Sequence, residues 1–289
     1  MREESAIKEE LLKEFLSKKD INKIQMLKTA VQRDNVVVTC MGLYNHGKST
    51  LLNALINDYE QETFKTADVR ETTANKEIEQ ENFIFVDTPG LNATKNDDKR
   101  VMDAIKESDI NLFVHSVTTG ELTEKEMDFF HKVKNNWKNP QEFIERTIFV
   151  ISRIDKANNN DDIDASTIKM VNQIQKLFSI EPVFIPISAL RYINGKKCKK
   201  PIFVKNSNLE QLMDSLNELR KVHLENIQKT RSSRLEKYYE GLVKRFSAKL
   251  QENKLQLTEL KRVANKLKKD ISRTEETLMK KYEKLEESL

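Results

Sequence analysis

The chain has 289 residues, 33% of them charged and 38% hydrophobic, with a formal net charge of +4. No stretch approaches the roughly 18 consecutive apolar residues of a membrane-spanning helix, which excludes a multi-span membrane protein. Only two cysteines, Cys40 and Cys198, and an N-terminus without an apolar core predict a cytoplasmic, reducing environment. Charge is unevenly spread: residues 220–269 carry 15 basic and 5 acidic side chains, which invites an anionic partner such as a membrane surface met peripherally.

Along the chain, residues 4–33 place Ile7, Leu11 and Phe15, then Ile24, Leu27 and Val31, at spacings of three and four. This predicts an amphipathic helical arm, with Asp20 as a cap between two helical stretches. From residue 36 onward, short β-branched runs alternate with helical segments, the runs being 36–41, 83–86, 110–114, 148–151 and 183–187. Continuous apolar runs separated by helices predict an α/β fold with a mainly parallel sheet covered on both faces. The polar stretch 75–81 reads as an edge strand in a hairpin with 83–86. Beyond Pro201 there is no further proline and a single glycine, Gly241, so a helix meets almost no interruption. Val243, Phe246, Leu250, Leu257, Leu260, Ala264, Leu267, Ile271 and Leu278 share one heptad register, with polar Asn253 and Thr274 also on the seam. That is the pattern of a coiled coil or a two-helix neck. The expected division is an arm at 1–34, a globular domain at 35–222 and a helical neck at 223–289.

The chain has six glycines, and three of them fall in two short strings. GLYNHGKS, residues 42–49, stands directly between the first apolar run and a helical segment and fits GxxxxGK[ST]. Gly42 and Gly47 let the amides from Tyr44 to Thr50 turn inward around phosphate oxygens, and the next helix offers its positive N-terminus. Lys48 would reach the terminal phosphates, and the Ser49 hydroxyl would ligate magnesium. His46 reads as a loop filler within this binding segment rather than as an acid or base. In the second string, DTPG at 87–90, Asp87 would hold magnesium through a water and Gly90 would offer its amide to the γ-phosphate. Between the strings, the hydroxyl of Thr73 or of its neighbour Thr72 would complete the magnesium shell, with Thr73 preferred.

GLYNHGKSTLLNALIND followed by DTPGL resembles the translation-factor-related GTPases, and within them the dynamin-like and Era-like branches, over residues 36–222. The resemblance implies GTP and GDP as ligands, Mg2+ as cofactor, and hydrolysis of GTP to GDP and phosphate. The family usually carries Asn/Thr-Lys-x-Asp for base recognition, and this chain has Ser152-Arg153-Ile154-Asp155. Asp155 is retained for the guanine N1 and N2 groups, and Arg153 is able to cover the base as lysine would. Ser152 offers a shorter hydroxyl than asparagine. Ser188-Ala189-Leu190 resembles the family's SA[KL] element, whose Ala189 amide would meet guanine O6. Leu91 follows DTPG, so no glutamine is placed there to orient water. Asn45 stands where dimerising relatives hold K+ against the phosphates, so a homodimer through the nucleotide domains is expected to complete a K+ site. The alternative reading of Asn45 is stabilisation of the loop backbone.

The role implied is that of a small dynamin-like protein whose nucleotide state controls self-association or the engagement of a partner or membrane. Two alternatives stand beside it: an Era-like ribosome- or RNA-associated switch, and an interaction protein assembling with a larger relative through the coiled coil. The KKCKK string at 196–200 reads as a solvated loop or an anion contact, and no Cys/His spacing suggests zinc.

Overall fold

The computed structural model describes residues 15–64, 76–91, 95–137, 139–157 and 159–286. The expectations placed on residues 4–14 and on Thr72 and Thr73 lie outside these. The chain divides into two compact units, one of Gln32–Gln228 and one of Met1–Val31 with Lys229–Leu289.

The first unit is built on a six-stranded sheet of order β2-β3-β1-β4-β5-β6. Its strands are β1 (Val36–Met41), β2 (Lys76–Gln80), β3 (Phe83–Asp87), β4 (Ile110–Ser116), β5 (Thr147–Ser152) and β6 (Val183–Pro186). Five run parallel; β2 alone is antiparallel, pairing at the edge with β3 as the polar 75–81 stretch predicts. Side chains alternate between faces along a strand, so an apolar run buries both sets. Val36, Val38, Leu112, Val114 and Val150 pack on one side with α2 (Lys48–Leu55) and α7 (Ala189–Lys197). Met41, Phe113, Phe149 and Ile151 pack on the other with α3 (Lys95–Glu107), α4 (Glu124–Asn136), α5 (Pro140–Glu145) and α6 (Asn160–Phe178). Because the five strands are parallel, the segments following β1, β3, β4, β5 and β6 emerge along one edge of the sheet. In open α/β sheets this is the edge where ligands bind.

After α7 come the short helix α8 (Pro201–Lys205) and α9 (Leu209–Glu286). Leu209, Leu212 and Leu216 on the first turns of α9 are buried in the sheet's core. KKCKK is not a loop throughout: Lys196 and Lys197 belong to the last turn of α7, where Lys197 pairs with Glu60 and Lys196 lies over the Tyr192 ring. Cys198 caps that helix and is exposed, whereas Cys40 on β1 is buried, which pushes its thiol well above the usual range.

In the second unit, α1 (Lys18–Gln32) starts at Ser17, not at Asp20. The Ser17 hydroxyl accepts from the Asp20 amide at 3.2 Å, and the Asp20 carboxylate accepts from the Ser17 amide and hydroxyl in return. This reciprocal arrangement makes Asp20 the third helical residue of a capping box. The carboxylate also accepts from the Tyr238 hydroxyl at 2.9 Å and pairs with Arg245 at 2.8 Å on α9. The Arg245 hydrogen bond, with those from Ser17 and Tyr238, holds the Asp20 carboxyl well below the usual range. Along the heptad register, Val243, Leu250, Leu257, Leu260, Leu267, Ile271 and Leu278 are all exposed by more than half. No helix among the described residues is long and apolar enough to cross a membrane.

Candidate functional site

The 42–49 loop takes its shape from two close approaches. Gly42 has φ +147°, and a Cβ there would lie 2.2 Å from the Val114 carbonyl oxygen, so β4 leaves no room for a side chain. Gly90 packs on the same loop, where a Cβ would stand 2.9 Å from the Tyr44 nitrogen and 3.0 Å from its Cα. The 87–91 segment is further joined to the loop by the Leu91 amide donating to the Gly42 carbonyl at 3.1 Å. The two sequence strings therefore form one piece of backbone architecture. Asn45, at φ +61°, and Tyr44 are exposed on the loop's turn.

Lys48 and Ser49 open α2 directly after Gly47, so the loop ends at a helix N-terminus, where unpaired amides and the helix dipole favour an anion. The buried Lys48 ammonium donates to the carbonyls of Gly42 at 3.2 Å and Leu43 at 3.0 Å. Burial lowers its pKa, and the nearby Asp87 opposes that shift. The Ser49 hydroxyl donates to Asp87 Oδ2 at 3.1 Å. The other oxygen, Asp87 Oδ1, is buried and has no hydrogen-bond partner among the described residues. Burial raises the pKa of this carboxyl, and Lys48, Ser49 and the Thr88 amide oppose the rise. An orphaned carboxylate oxygen beside a hydroxyl is a donor set suited to a hard divalent cation, so the residues fit magnesium.

Beside the loop, a cavity of about 170 Å³ is lined by Gly47, Thr50, Gln61, Ser152, Arg153, Asp155, Lys156, Ala189 and Leu190. It brings together residues from β1–α2, β5 and α7 that are distant in sequence. Arg153, at φ +62°, brings its side chain to Gly47, where a Cβ would lie 3.8 Å from the guanidinium Nε. Ser188 is fully buried and does not line the cavity. Its hydroxyl donates to Asp155 Oδ1 and accepts from the Arg191 amide as the N-cap of α7. Ser152 donates its hydroxyl to the His46 carbonyl at 2.6 Å, so it braces the loop backbone. The His46 ring is buried against His115 and does not line the cavity.

Residues 37–153 match the family model described as 50S ribosome-binding GTPase. This segment is a P-loop GTPase domain. Among relatives, an uncharacterised protein of Acinetobacter baylyi is 32% identical over 184 residues, 63% of this chain and 41% of that protein. The GTPase Era of Bordetella petrii is 27% identical over 185 residues, 62% of this chain and 53% of Era. The chain thus spans about half the length, or less, of these relatives. A solved chain from an oligomerised bacterial dynamin pair matches with a TM-score of 0.53 at 14% identity, covering 99% of this chain and 52% of that one. At that identity the likeness is one of fold.

Within the GTPase domain, Ser188 of the SA[KL]-like element holds Asp155, and two residues beyond the sequence motifs, Glu126 and His115, stand behind His46. Glu126 had a local signal, since Thr123 and Glu126 have the spacing of a capping box. Nothing local points from it to the loop.

Proposed function

We propose that the chain binds GTP with magnesium and hydrolyses it to GDP and phosphate, as a dynamin-like GTPase whose nucleotide state controls its self-association. The observation that carries this reading is the cavity uniting Asp155, Arg153 and Ala189 with Gly47 and Thr50, directly beside Lys48, Ser49 and Asp87.

Each residue then has a definable task. The Asp155 carboxylate, steadied by Ser188, retains lone pairs to accept the N1 and N2 hydrogens of guanine. Arg153 covers the base, and the Ala189 amide meets its O6. The loop amides and Lys48 hold the phosphate oxygens, Lys48 exchanging the Gly42 and Leu43 carbonyls for them. Ser49 and Asp87 would hold the magnesium, with Thr73 as a further ligand from the 65–75 segment. Bound there, the ion neutralises charge on the β- and γ-phosphates. In this reading Asn45, exposed on the loop's turn, would hold K+ against the phosphates when a second copy of the domain faces it.

Self-association through α9 is the second reading, favoured by the exposed apolar seam from Val243 to Leu278 flanked by basic residues. It includes assembly with a larger relative. Calorimetric titration with GTP, GDP and ATP, with and without magnesium, tests the first reading, with Lys48→Ala as the inactive control. Guanine nucleotides are expected to bind and ATP to bind far more weakly, through its phosphates alone; equal binding of ATP would sink the guanine assignment. Light scattering with GDP and a GTP analogue, and turnover in K+ against Na+ at rising protein concentration, test self-association. A rate and a size indifferent to all of these would leave no support for it. Co-sedimentation with RNA in place of anionic vesicles would favour the Era-like role.

A further inference from the structure

Glu126 is the third residue of α4 and closes a capping box. Its Oε2 accepts from the Thr123 amide at 2.9 Å and hydroxyl at 2.8 Å, while the Glu126 amide donates back to Thr123 Oγ1 at 3.3 Å. A capping box forms readily at a helix end in water, so capping alone does not require burial. Glu126 is nonetheless fully buried, and a buried carboxylate is costly unless its oxygens are satisfied. Its second oxygen, Oε1, faces two histidines. His115 Nδ1 donates to it at 2.9 Å and the other ring nitrogen reaches the Gly120 carbonyl at 3.0 Å, so that ring is braced at both ends. His46 Nδ1 lies 3.4 Å from the same oxygen, within reach of a charge contact, and is buried with no hydrogen-bond partner among the described residues. The two rings meet edge to face, with centroids 5.4 Å apart.

His46 belongs to the phosphate loop, between Asn45 and Gly47, both at positive φ. Its carbonyl is held by Ser152 on β5, and its side chain is turned to Glu126 on α4. A loop anchored at one side of this turn is free to tilt; anchored at both, it presents its amides at a fixed angle. We propose that Glu126 is a positioning residue for nucleotide binding, acting through His46 and braced by His115 to fix the tilt of the phosphate loop. The proposal rests on the reading that residues 42–49 bind nucleotide phosphates; Glu126 and His115, both fully buried, act at one remove from them.

Titration of the full chain with fluorescent GDP and a fluorescent GTP analogue tests it in Glu126→Gln, His46→Ala and the double variant. Glutamine keeps the capping box through its amide oxygen and donates its amide N–H to His115 Nδ1, which accepts in the tautomer that keeps the Nε2–H on the Gly120 carbonyl, but it removes the carboxylate that faces His46. Each single variant is expected to weaken both nucleotides about ten-fold, the loss of one buried contact to a carboxylate. The double variant is expected to lose no more than either single one, because both remove the same link. His46→Gln, whose amide reaches the same carboxylate, is expected to return affinity to within about three-fold of wild type. Melting curves by circular dichroism accompany each variant, and if Glu126→Gln does not fold the two His46 variants carry the test. An unchanged affinity in Glu126→Gln, losses that multiply in the double variant, or a His46→Gln as weak as His46→Ala overturns the proposal. One equivalent of zinc in the purified chain also overturns it, because the three ligand atoms lie within 4.8 Å of one another and would then be serving a metal. A wild-type chain that binds neither nucleotide refutes instead the reading on which the proposal stands.

Discussion

Ser188→Ala separates the aiming of Asp155 from the rest of the nucleotide site. The hydroxyl does two things at once: it accepts from the Arg191 amide at 3.1 Å as the N-cap of α7, and it donates to Asp155 Oδ1. Removing an N-cap costs about 1 kcal/mol. A hydrogen bond to a carboxylate is worth more when buried, but Asp155 is exposed and water replaces much of it, so this pair adds about 1 kcal/mol. The expected loss of stability is therefore about 2 kcal/mol, read as a lower urea midpoint at an unchanged slope. Binding changes differently. An Asp155 free to rotate recognises guanine less well, so GDP affinity falls about ten-fold, the equivalent of about 1.4 kcal/mol. ADP, which lacks the paired N1 and N2 hydrogens, changes by less than about two-fold because its phosphate contacts are untouched. Calorimetric titration of the wild-type chain and Ser188→Ala with both nucleotides measures the difference. Unchanged GDP affinity, or equal losses for GDP and ADP, would refute the reasoning that Ser188 sets base selectivity through Asp155.

Gly90→Ala drives a methyl group into the Tyr44 backbone at 2.9 Å, so the 87–91 segment must lift from the phosphate loop; a stability loss of about 1–3 kcal/mol and a loss of GTP-analogue affinity are expected, checked by thermal melting and titration. Burial pushes the Glu126 carboxyl up, but the His115 hydrogen bond, the nearby His46 ring and the Thr123 amide hold it down at about 2 against an ordinary 4.5. A depressed carboxyl contributes stability that is present above pH 4.5 and is lost as pH falls from there through about 2. Urea midpoints at pH 6, 4 and 3 should therefore decline less in Glu126→Gln than in wild type, and parallel declines would contradict this. On α9, Leu257→Glu and Leu260→Glu change side chains that are more than half exposed, so the melting temperature should hold within about 2 °C. If the seam is an assembly surface, sedimentation velocity should show a shift to smaller species, and an unchanged distribution would remove the seam from consideration.

The strands were legible because a sheet buried on both faces needs uninterrupted apolar runs, and 36–41, 110–114 and 148–151 are such runs. The phosphate loop was legible because its glycines are dictated locally: Val114 excludes a side chain at Gly42 and Tyr44 excludes one at Gly90. What could not be read were the contacts made between elements. Ser188 reaches Asp155 only once β5 and β6 pair in parallel, and His46 meets Glu126 only once α4 packs on the sheet. Ser152 is the instructive case, because its hydroxyl was too short to serve as asparagine does and its actual partner is a loop carbonyl. The cap of α1 is Ser17, three residues before Asp20, and the sequence does not separate the two because both members of this reciprocal cap have side chains suited to begin a helix.

The contrast between the two thiols gives the molecule a ready-made spectroscopic handle. Cys40 is sealed in β1 and held protonated by burial, whereas Cys198 is exposed at the end of α7, the helix whose first residue, Ala189, lines the cavity. A maleimide fluorophore therefore attaches at a single position without any prior mutagenesis. Placed there, the dye reports through its anisotropy and emission on whether α7 shifts when a base enters, and it does so on the unaltered native sequence.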